Sequence, residues 1–529
     1  MDETSYDVLV VGGGINGAGI ARDLAGRGLA VLLAEQDDLA AHTSSASTKL
    51  IHGGLRYLEY REFALVRKAL QERERLLRSA PHIMWPLRFV MPHDPSMRPA
   101  WMIRAGLFLY DHLARREVLP ASRAVALQRH VAGAPLQAQY RRGFVYSDGW
   151  VDDARLVVLN ALDARARGAE VRTRTRCTAA RRVGSHWQVE LAGTGGTVPG
   201  PAQTVRARAL VNAAGPWAES FLRRQAQPPS GPALTARSLR LVKGSHIVVP
   251  RCFEHDHAYL FQNPDKRITF AIPYESRFTL IGTTDVEFQG APGEARATPE
   301  EIAYLCQQAS RYFRQPVHSA DVVWHYSGVR PLLDDERGDP AAVTRDYLLE
   351  TDTQGAPLLS VWGGKITTFR KLAEEAGDTL TRLLGKGRAG WTAQALLPGG
   401  DLSAWIGPAE RPDTDFARFV AAIGVRHGWL PPPLALRLAR AYGSRIDRVL
   451  GSATRLADLG PAVAPGLHEA ELHYLRREEW ALNADDVLWR RSKLGLHSLP
   501  AQARQVADWM AAQAATATPA PAVQEASWS

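Results

Sequence analysis

Tyr6-Asp7-Val8-Leu9-Val10-Val11-Gly12-Gly13-Gly14-Ile15-Asn16-Gly17-Ala18-Gly19-Ile20 decides how the rest of the chain is read. Tyr6–Val11 is a β-branched apolar run, the pattern of a strand buried in a parallel sheet. G-x-G-x-x-G follows at Gly12, Gly14 and Gly17. Ala18–Ala25 carries a helical pattern that Gly28 stops, and Leu29–Ala34 is a second strand ending in Glu35. Gly12 permits the tight turn, Gly14 lets the backbone approach a pyrophosphate, and Gly17 lets helix pack close to strand. The helix N-terminus offers free N–H groups to the phosphates, which makes Ile15 and Asn16 candidate contacts too. Glu35 is spaced to accept from an adenosine ribose. Strand, glycines, helix, strand and acid in this order predict a dinucleotide-binding βαβ unit over residues 7–35.

Three segments further along narrow the dinucleotide to FAD. Thr43–Tyr57 is rich in hydroxyls and then in glycines, and can lie along a cofactor; Ser44, Ser45, Ser47, Lys49, Leu50, His52, Gly53 and Gly54 are its candidate contacts. Ala209–Trp217 is an apolar strand ending in small residues, with Ala213, Gly215 and Trp217 near the cofactor. Leu358–Thr368 repeats the order of strand, two glycines and helix, so that Gly364, Lys365 and Thr367 face the pyrimidine end of a flavin. Gly193–Gly200 has no strand before it or helix after it, and reads as a surface loop. No second fingerprint occurs, which argues against an NAD(P)H-using flavin reductase.

The 529 residues are too many for one compact core, and two or three domains are expected. A formal charge of +9 favours anionic partners. Cys177, Cys252 and Cys306 form no CxxC pair, so no disulfide framework is expected and a reducing compartment is the default. Met1-Asp2-Glu3 has no basic region behind it, so no signal peptide is read. No apolar stretch approaches the roughly 18 residues of a membrane span. The best candidate, Trp101–Leu113, is broken by Arg104 and Asp111.

Together these segments resemble the FAD-dependent, respiratory glycerol-3-phosphate dehydrogenases. The resemblance runs from about residue 5 to about residue 510 and rests on Gly12–Gly19, Thr43–Ser47, Leu50–Tyr57, Lys243–His246, Ile281–Asp285, Tyr326–Pro331, Thr344–Tyr347 and Gly363–Thr368. Ile51-His52-Gly53-Gly54-Leu55-Arg56-Tyr57 with Ser327-Gly328-Val329-Arg330-Pro331 is the specific combination, and adds Gly328 to the cofactor contacts. Ala214 departs from the family, where a threonine is common before Gly215. The fold implied is α/β plus α+β. A Rossmann-type FAD domain of the glutathione-reductase and amino-acid-oxidase kind is interleaved with an antiparallel-sheet substrate domain. An all-α C-terminal domain follows. The expected divisions are 1–85, 145–235 and 340–388 for FAD, 86–144 and 236–339 for substrate, 389–512 helical, and a disordered tail over 513–529. No metal site is read.

A phosphate dianion needs donors that stay charged, and an arginine fork grips two oxygens. Arg56, Arg330, Arg345 and Lys365 recur beside the flavin segments, three of them just after glycines that aim a side chain into a crowded site. Tyr57 offers a hydroxyl to the same phosphate. His52 and His246 are candidates to orient substrate or take a proton, and the residues do not choose between them. The resemblance implies oxidation of sn-glycerol 3-phosphate to dihydroxyacetone phosphate, with hydride passing to FAD and electrons to a membrane quinone. Arg56, His52, His246, Arg330 and Lys365 form the catalytic set.

Quinone access predicts a membrane-facing surface. Between positions 85 and 116, Trp85, Phe89, Trp101, Phe108 and Tyr110 are interspersed with Arg88, Arg98, Arg104, Arg115 and Arg116, a pattern suited to anionic lipid or to plain core packing. The expected location is cytoplasmic, peripherally bound to the inner face of the cytoplasmic membrane. Leu434–Leu450 and Glu469–Leu494 read as helices of a C-terminal cap domain, the candidate homodimer contact, and nothing resembles a nucleic-acid module. The rivals are an oxidase that passes electrons to oxygen, an amino-acid or hydroxy-acid oxidase, and a non-catalytic flavin-binding scaffold.

Overall fold

The computed structural model describes residues 4–94, 98–195, 202–226, 234–333 and 346–515. Its first sheet is built around Ser5–Val11. Val31–Ala34 pairs on one side and Gln203–Asn212 on the other, both parallel, with Glu170–Arg172 and Leu358–Trp362 beyond them. Leu348–Asp352 closes one edge antiparallel, and the hairpin Thr175–Gly193 hangs from Gln203–Asn212. These strands are continuous apolar runs because helices Ile15–Gly26, Asp153–Ala166 and Phe369–Leu384 cover one face while Trp187, Phe221 and Trp362 cover the other. Three of the segments singled out in the sequence contribute strands to this sheet, and the fourth, Thr43–Tyr57, contributes Leu50–Ile51 to the other.

The second sheet runs Val286–Glu287, Leu239–Pro250, Phe278–Gly282, Ile268–Tyr274, Ala258–Gln262, Met84–His93, Arg142–Val151, Leu50–Ile51. Trp324–Leu333 also pairs along Leu239–Pro250, and Ala258–Gln262 joins Met84–His93 in the sheet's one parallel pairing among the described residues. The hairpin read around Tyr274–Arg277 forms, with strands Ile268–Tyr274 and Phe278–Gly282. The division drawn between 144 and 145 falls inside the strand Arg142–Val151, which pairs along its whole length in this sheet. Alternation hides such a boundary, because an aromatic strand reads alike in either sheet.

Past residue 400 the chain is helical around its own core of Phe419, Leu438, Tyr442, Leu472 and Leu475, with one small hairpin at Ala462–His468. The helix at Pro432–Tyr442 starts inside the triple proline, where a missing N–H costs nothing. The outer part of the Gly193–Gly200 loop and the tail from 516 lie outside the described residues. The helical block is locked to the first sheet by buried ion pairs. Asp38 takes Arg490 at 2.6 Å and Arg491 at 2.8 Å, and Arg155 pairs with Glu479. Cys177, Cys252 and Cys306 are free thiols. No helix of the described residues is long and apolar enough to cross a membrane.

Candidate functional site

A cleft of about 560 Å³ opens along the carboxyl edge of the first sheet. Gly12, Gly14, Ile15, Asn16, Glu35, Ser44, Ser47, Ala213, Gly215, Trp217 and Gly364 line it. The turn after Ser5–Val11 depends on absent side chains. Gly12 has φ +108°, and a methyl group on Gly17 would fall 1.9 Å from the Gly12 carbonyl oxygen. Gly17 therefore lies behind the cleft wall and sets how closely the helix approaches. Glu35 is buried and accepts from the Gly13 N–H at 2.5 Å and the Asp37 N–H at 2.8 Å. Burial pushes its carboxyl upward while these two N–H groups oppose it.

A second cavity of about 290 Å³ continues from the first. Thr43, Ser47, Pro331, Gly363, Gly364 and Ile366 form walls of both. His52, Arg56, Tyr57, Arg330, Lys365 and Thr367 line the second cavity, with Leu50, Gly54 and Gly328. Residues 315 positions apart, His52 and Thr367, thus meet in one space. The Lys365 ammonium lies 3.8 Å from the Tyr57 ring centre. The His52 N–H donates to Thr367 Oγ1 at 3.2 Å. Arg330 pairs with Asp285 and donates to Thr283 Oγ1 at 3.2 Å.

Five residues named from the sequence line neither space. Gly17 is one. Ser45 donates its hydroxyl to the His42 carbonyl at 3.2 Å. Gly53 donates its N–H to Tyr110 Oη at 2.8 Å, inside a buried group in which Asp148 takes bonds from Tyr110 and Arg73, both at 2.7 Å. Lys49 is buried and bound to Asp153 at 2.7 Å, the same carboxylate that takes the Ser47 hydroxyl at 2.7 Å. Its charge pins the hydroxyl-rich segment from beneath and does not reach the cleft. His246 stacks on Tyr326 and lies behind Thr48, whose hydroxyl is 2.9 Å from Nε2. Burial, with Arg330 and Lys49 nearby, holds its pKa well below the usual imidazole range. Arg345 lies outside the described residues.

Sequence reading assigned no role to Thr43, Thr48, Asp148, Thr283 or Asp285, all of which line the second cavity. Asp148 had a signal: it is the one carboxylate in the aromatic strand Arg142–Val151. Asp285 closes a Thr-Thr-Asp run directly after an apolar strand.

FAD fits these residues. The first cleft has the glycine turn and helix start for a pyrophosphate and a buried acid for a ribose. Asn16 donates to the Gly363 carbonyl at 3.2 Å but leaves Oδ1 buried with no partner among the described residues, a spare acceptor on a residue of the cleft wall. Hydride-accepting chemistry is what FAD brings when held here.

The model of the FAD dependent oxidoreductase family matches residues 7–370, and that of the C-terminal domain of alpha-glycerophosphate oxidase matches residues 391–517. The chain is 53% identical to a glycerol-3-phosphate dehydrogenase of Pseudomonas aeruginosa, over 94% of this chain and 93% of the relative. It is 49% identical to the aerobic glycerol-3-phosphate dehydrogenase of Escherichia coli, over 95% of this chain and 97% of the relative. It is also 49% identical to the D-erythritol 1-phosphate dehydrogenase of Brucella abortus, over 95% of this chain and 97% of the relative. The structure of a glycerol-3-phosphate dehydrogenase from Bacillus halodurans, complexed with FAD, superposes with a TM-score of 0.75 at 26% identity, covering 97% of this chain and 91% of that one.

Proposed function

The chain belongs to the FAD-dependent glycerol-3-phosphate dehydrogenases, and from that premise we propose how its own residues oxidise sn-glycerol 3-phosphate to dihydroxyacetone phosphate. The observation that carries the proposal is the convergence of Arg56, Arg330, Lys365, Tyr57 and His52 on the cavity that continues from the dinucleotide cleft. Bound FAD supplies the two-electron acceptor. Arg56 and Arg330 grip the phosphate dianion, and Asp285 keeps the Arg330 fork oriented. With the phosphate fixed, the substrate's carbinol end is held in place and the reaction loses its orientational cost. His52 takes the C2 hydroxyl proton. His246 is less suited to that task, since it is held neutral at low basicity and lacks direct access to the cavity. Lys365, at the start of the helical segment, stabilises negative charge that develops beside it.

Electrons then pass to a membrane quinone. Leu55, Phe89, Leu260, Ile268 and Phe270 among the walls of the second cavity support an apolar acceptor. Near it, helix Ala100–His112 exposes Trp101 (70%), Met102, Phe108 (56%) and Leu109, with Tyr60 and Phe63 also exposed on the neighbouring segment. Arg104 lies within that helix and Arg98, Arg115 and Arg116 flank it, a combination suited to an anionic lipid surface. Phe89 and Tyr110, counted with this surface from the sequence, are buried and belong to the core.

Anaerobic addition of glycerol 3-phosphate to the FAD-loaded protein is expected to bleach the flavin absorbance, with the electrons recovered on a soluble quinone. Stoichiometric peroxide without quinone reduction would replace the quinone reading by the oxidase one. The Brucella abortus relative makes D-erythritol 1-phosphate the necessary comparison substrate; faster bleaching by it would move the assignment to the longer polyol phosphate. Trp101→Ser with Phe108→Ser is expected to lower binding to anionic vesicles about tenfold and leave flavin reduction intact. A co-sedimentation assay checks this.

A further inference from the structure

Strand alternation divides the ground around Arg330 into two faces. Gly244, Thr283, Asp285, Gly328 and Arg330 line the substrate cavity. Their chain neighbours Lys243, Ser245, Thr284 and Ser327 point the opposite way, as successive side chains of extended backbone do. On that hidden face Lys243, Ser245 and Thr284 converge on Glu301, from the first turn of helix Pro299–Ser310. One oxygen of Glu301 accepts from the Ser245 and Thr284 hydroxyls, each at 3.0 Å. The other pairs with Lys243 at 2.8 Å and accepts from the Thr298 N–H at 2.9 Å. The Ser245 hydroxyl also meets that of Ser327 at 2.8 Å, and the Ser245 N–H donates to Thr284 Oγ1 at 2.9 Å. Glu301 is buried among these donors and each of its oxygens is bonded twice. Burial alone would raise its pKa, but Lys243, the Thr298 N–H, Thr284 and Ser245 hold it below the usual carboxylate range, so it stays charged.

We propose that Glu301 is the positioning residue for Arg330, acting through Thr284. Thr284 is buried and sits between the two residues that hold the guanidinium. Thr283 takes an Arg330 N–H through Oγ1, and Asp285 pairs with the fork from the other side. Fixing the Thr284 hydroxyl on Glu301 fixes the backbone on which both anchors ride. Gly244 leaves the space the guanidinium occupies, since a methyl group there would fall 2.5 Å from Arg330 Nη2. The arginine is thereby confined from below by a strand tied to the same carboxylate. Glu301 touches no part of the cavity itself. Its effect is on where Arg330 points, and so on affinity for the phosphate end of the substrate.

This proposal rests on the reading of Arg330 as a phosphate-gripping residue, and the test separates the two. Glu301→Gln leaves Lys243 buried beside a neutral group and risks the fold, so the decisive variant is Thr284→Val, with Thr284→Ser as the rescue. The FAD-loaded full chain is used. Steady-state constants for glycerol 3-phosphate are measured, and inorganic phosphate binding is followed by its perturbation of the flavin spectrum. Thr284→Val is expected to raise KM and the dissociation constant of inorganic phosphate about tenfold, with a smaller fall in kcat, because a misaligned grip costs affinity directly and orientation only in part. Thr284→Ser restores both. In an Arg330→Ala background Thr284→Val adds less than about twofold, whereas a merely structural role would add its full effect. An unchanged KM in Thr284→Val, a fall confined to kcat, or full additivity with Arg330→Ala overturns the positioning role while leaving the phosphate reading in place. An unchanged KM in Arg330→Ala removes the phosphate reading, and this proposal with it.

Discussion

His52 and His246 differ in what surrounds them, and that difference is why the proton-accepting role is proposed for His52. His246 is enclosed, stacked on Tyr326 and bonded to Thr48, with cationic Arg330 and Lys49 close by. An imidazole in that setting stays neutral across the physiological range and serves as a hydrogen-bonding strut. His52 sits on the cavity wall with its backbone held by Thr367. His52→Gln is therefore expected to slow anaerobic flavin reduction by about 10²- to 10⁴-fold, the usual worth of a general base, whereas His246→Gln costs far less. Stopped-flow absorbance of both variants checks the order. The sequence placed both histidines near the site without ranking them, because access to solvent is a property of the packed molecule. Lys49 shows the same limit. Its place among serines suggested a cofactor contact, but its partner Asp153 is 104 residues away.

At the scale of elements, the segment Phe253–Tyr259 is held against the 3-10 turn Val131–Gly133 by a group of histidines. The His130 and His257 ring centres lie 5.1 Å apart, and His255 and His257 lie 5.6 Å apart. His255 Nε2 contacts Tyr259 Oη at 2.8 Å while its Nδ1 accepts the His257 N–H at 3.2 Å, which uses both nitrogens of the neutral ring. Burial, then the charges of His257 and His130, lower the His255 pKa to about 4. The unfolded chain, with an ordinary histidine, takes its proton first as pH falls below about 6.5. Stability from this group is thus complete above that pH and is lost as pH falls toward 4. Partial exposure to solvent reduces the effect to on the order of 1 kcal/mol between pH 7 and pH 5. Denaturant titrations at the two values check it, and His255→Gln is expected to remove this part of the slope. The elements themselves were largely legible. The βαβ unit, the hairpin at Ile268–Gly282 and the later glycine pair followed from local spacing. Networks such as that on Glu301 were not, because they join residues on separate strands and a helix whose pairing no local pattern records.

Across the whole molecule, the helical block and the nucleotide-binding body share buried charge. Arg155 and Glu479 are both fully enclosed, and Arg155 also donates to the Ala441 carbonyl at 2.8 Å. Removing one partner of such a pair strands the other, which typically costs about 3–5 kcal/mol. Glu479→Gln is expected to lower the thermal midpoint and to release flavin in the same transition, as followed by flavin fluorescence. Independent melting of the helical block would contradict this. The sequence marked that block as helical and separate, but not as fastened, since Asp38 and Arg491 stand 453 positions apart.

Asp38 lies three residues past Glu35, and its carboxylate is claimed by Arg490 and Arg491 from the far end of the chain. The two matched regions are therefore not free to be shuffled as independent cassettes. A chimera that exchanges the helical block between relatives must carry this acid and its two arginines together. One inherited without the other leaves a buried charge unanswered, so such a chimera is expected to melt at a lower temperature than one that carries all three.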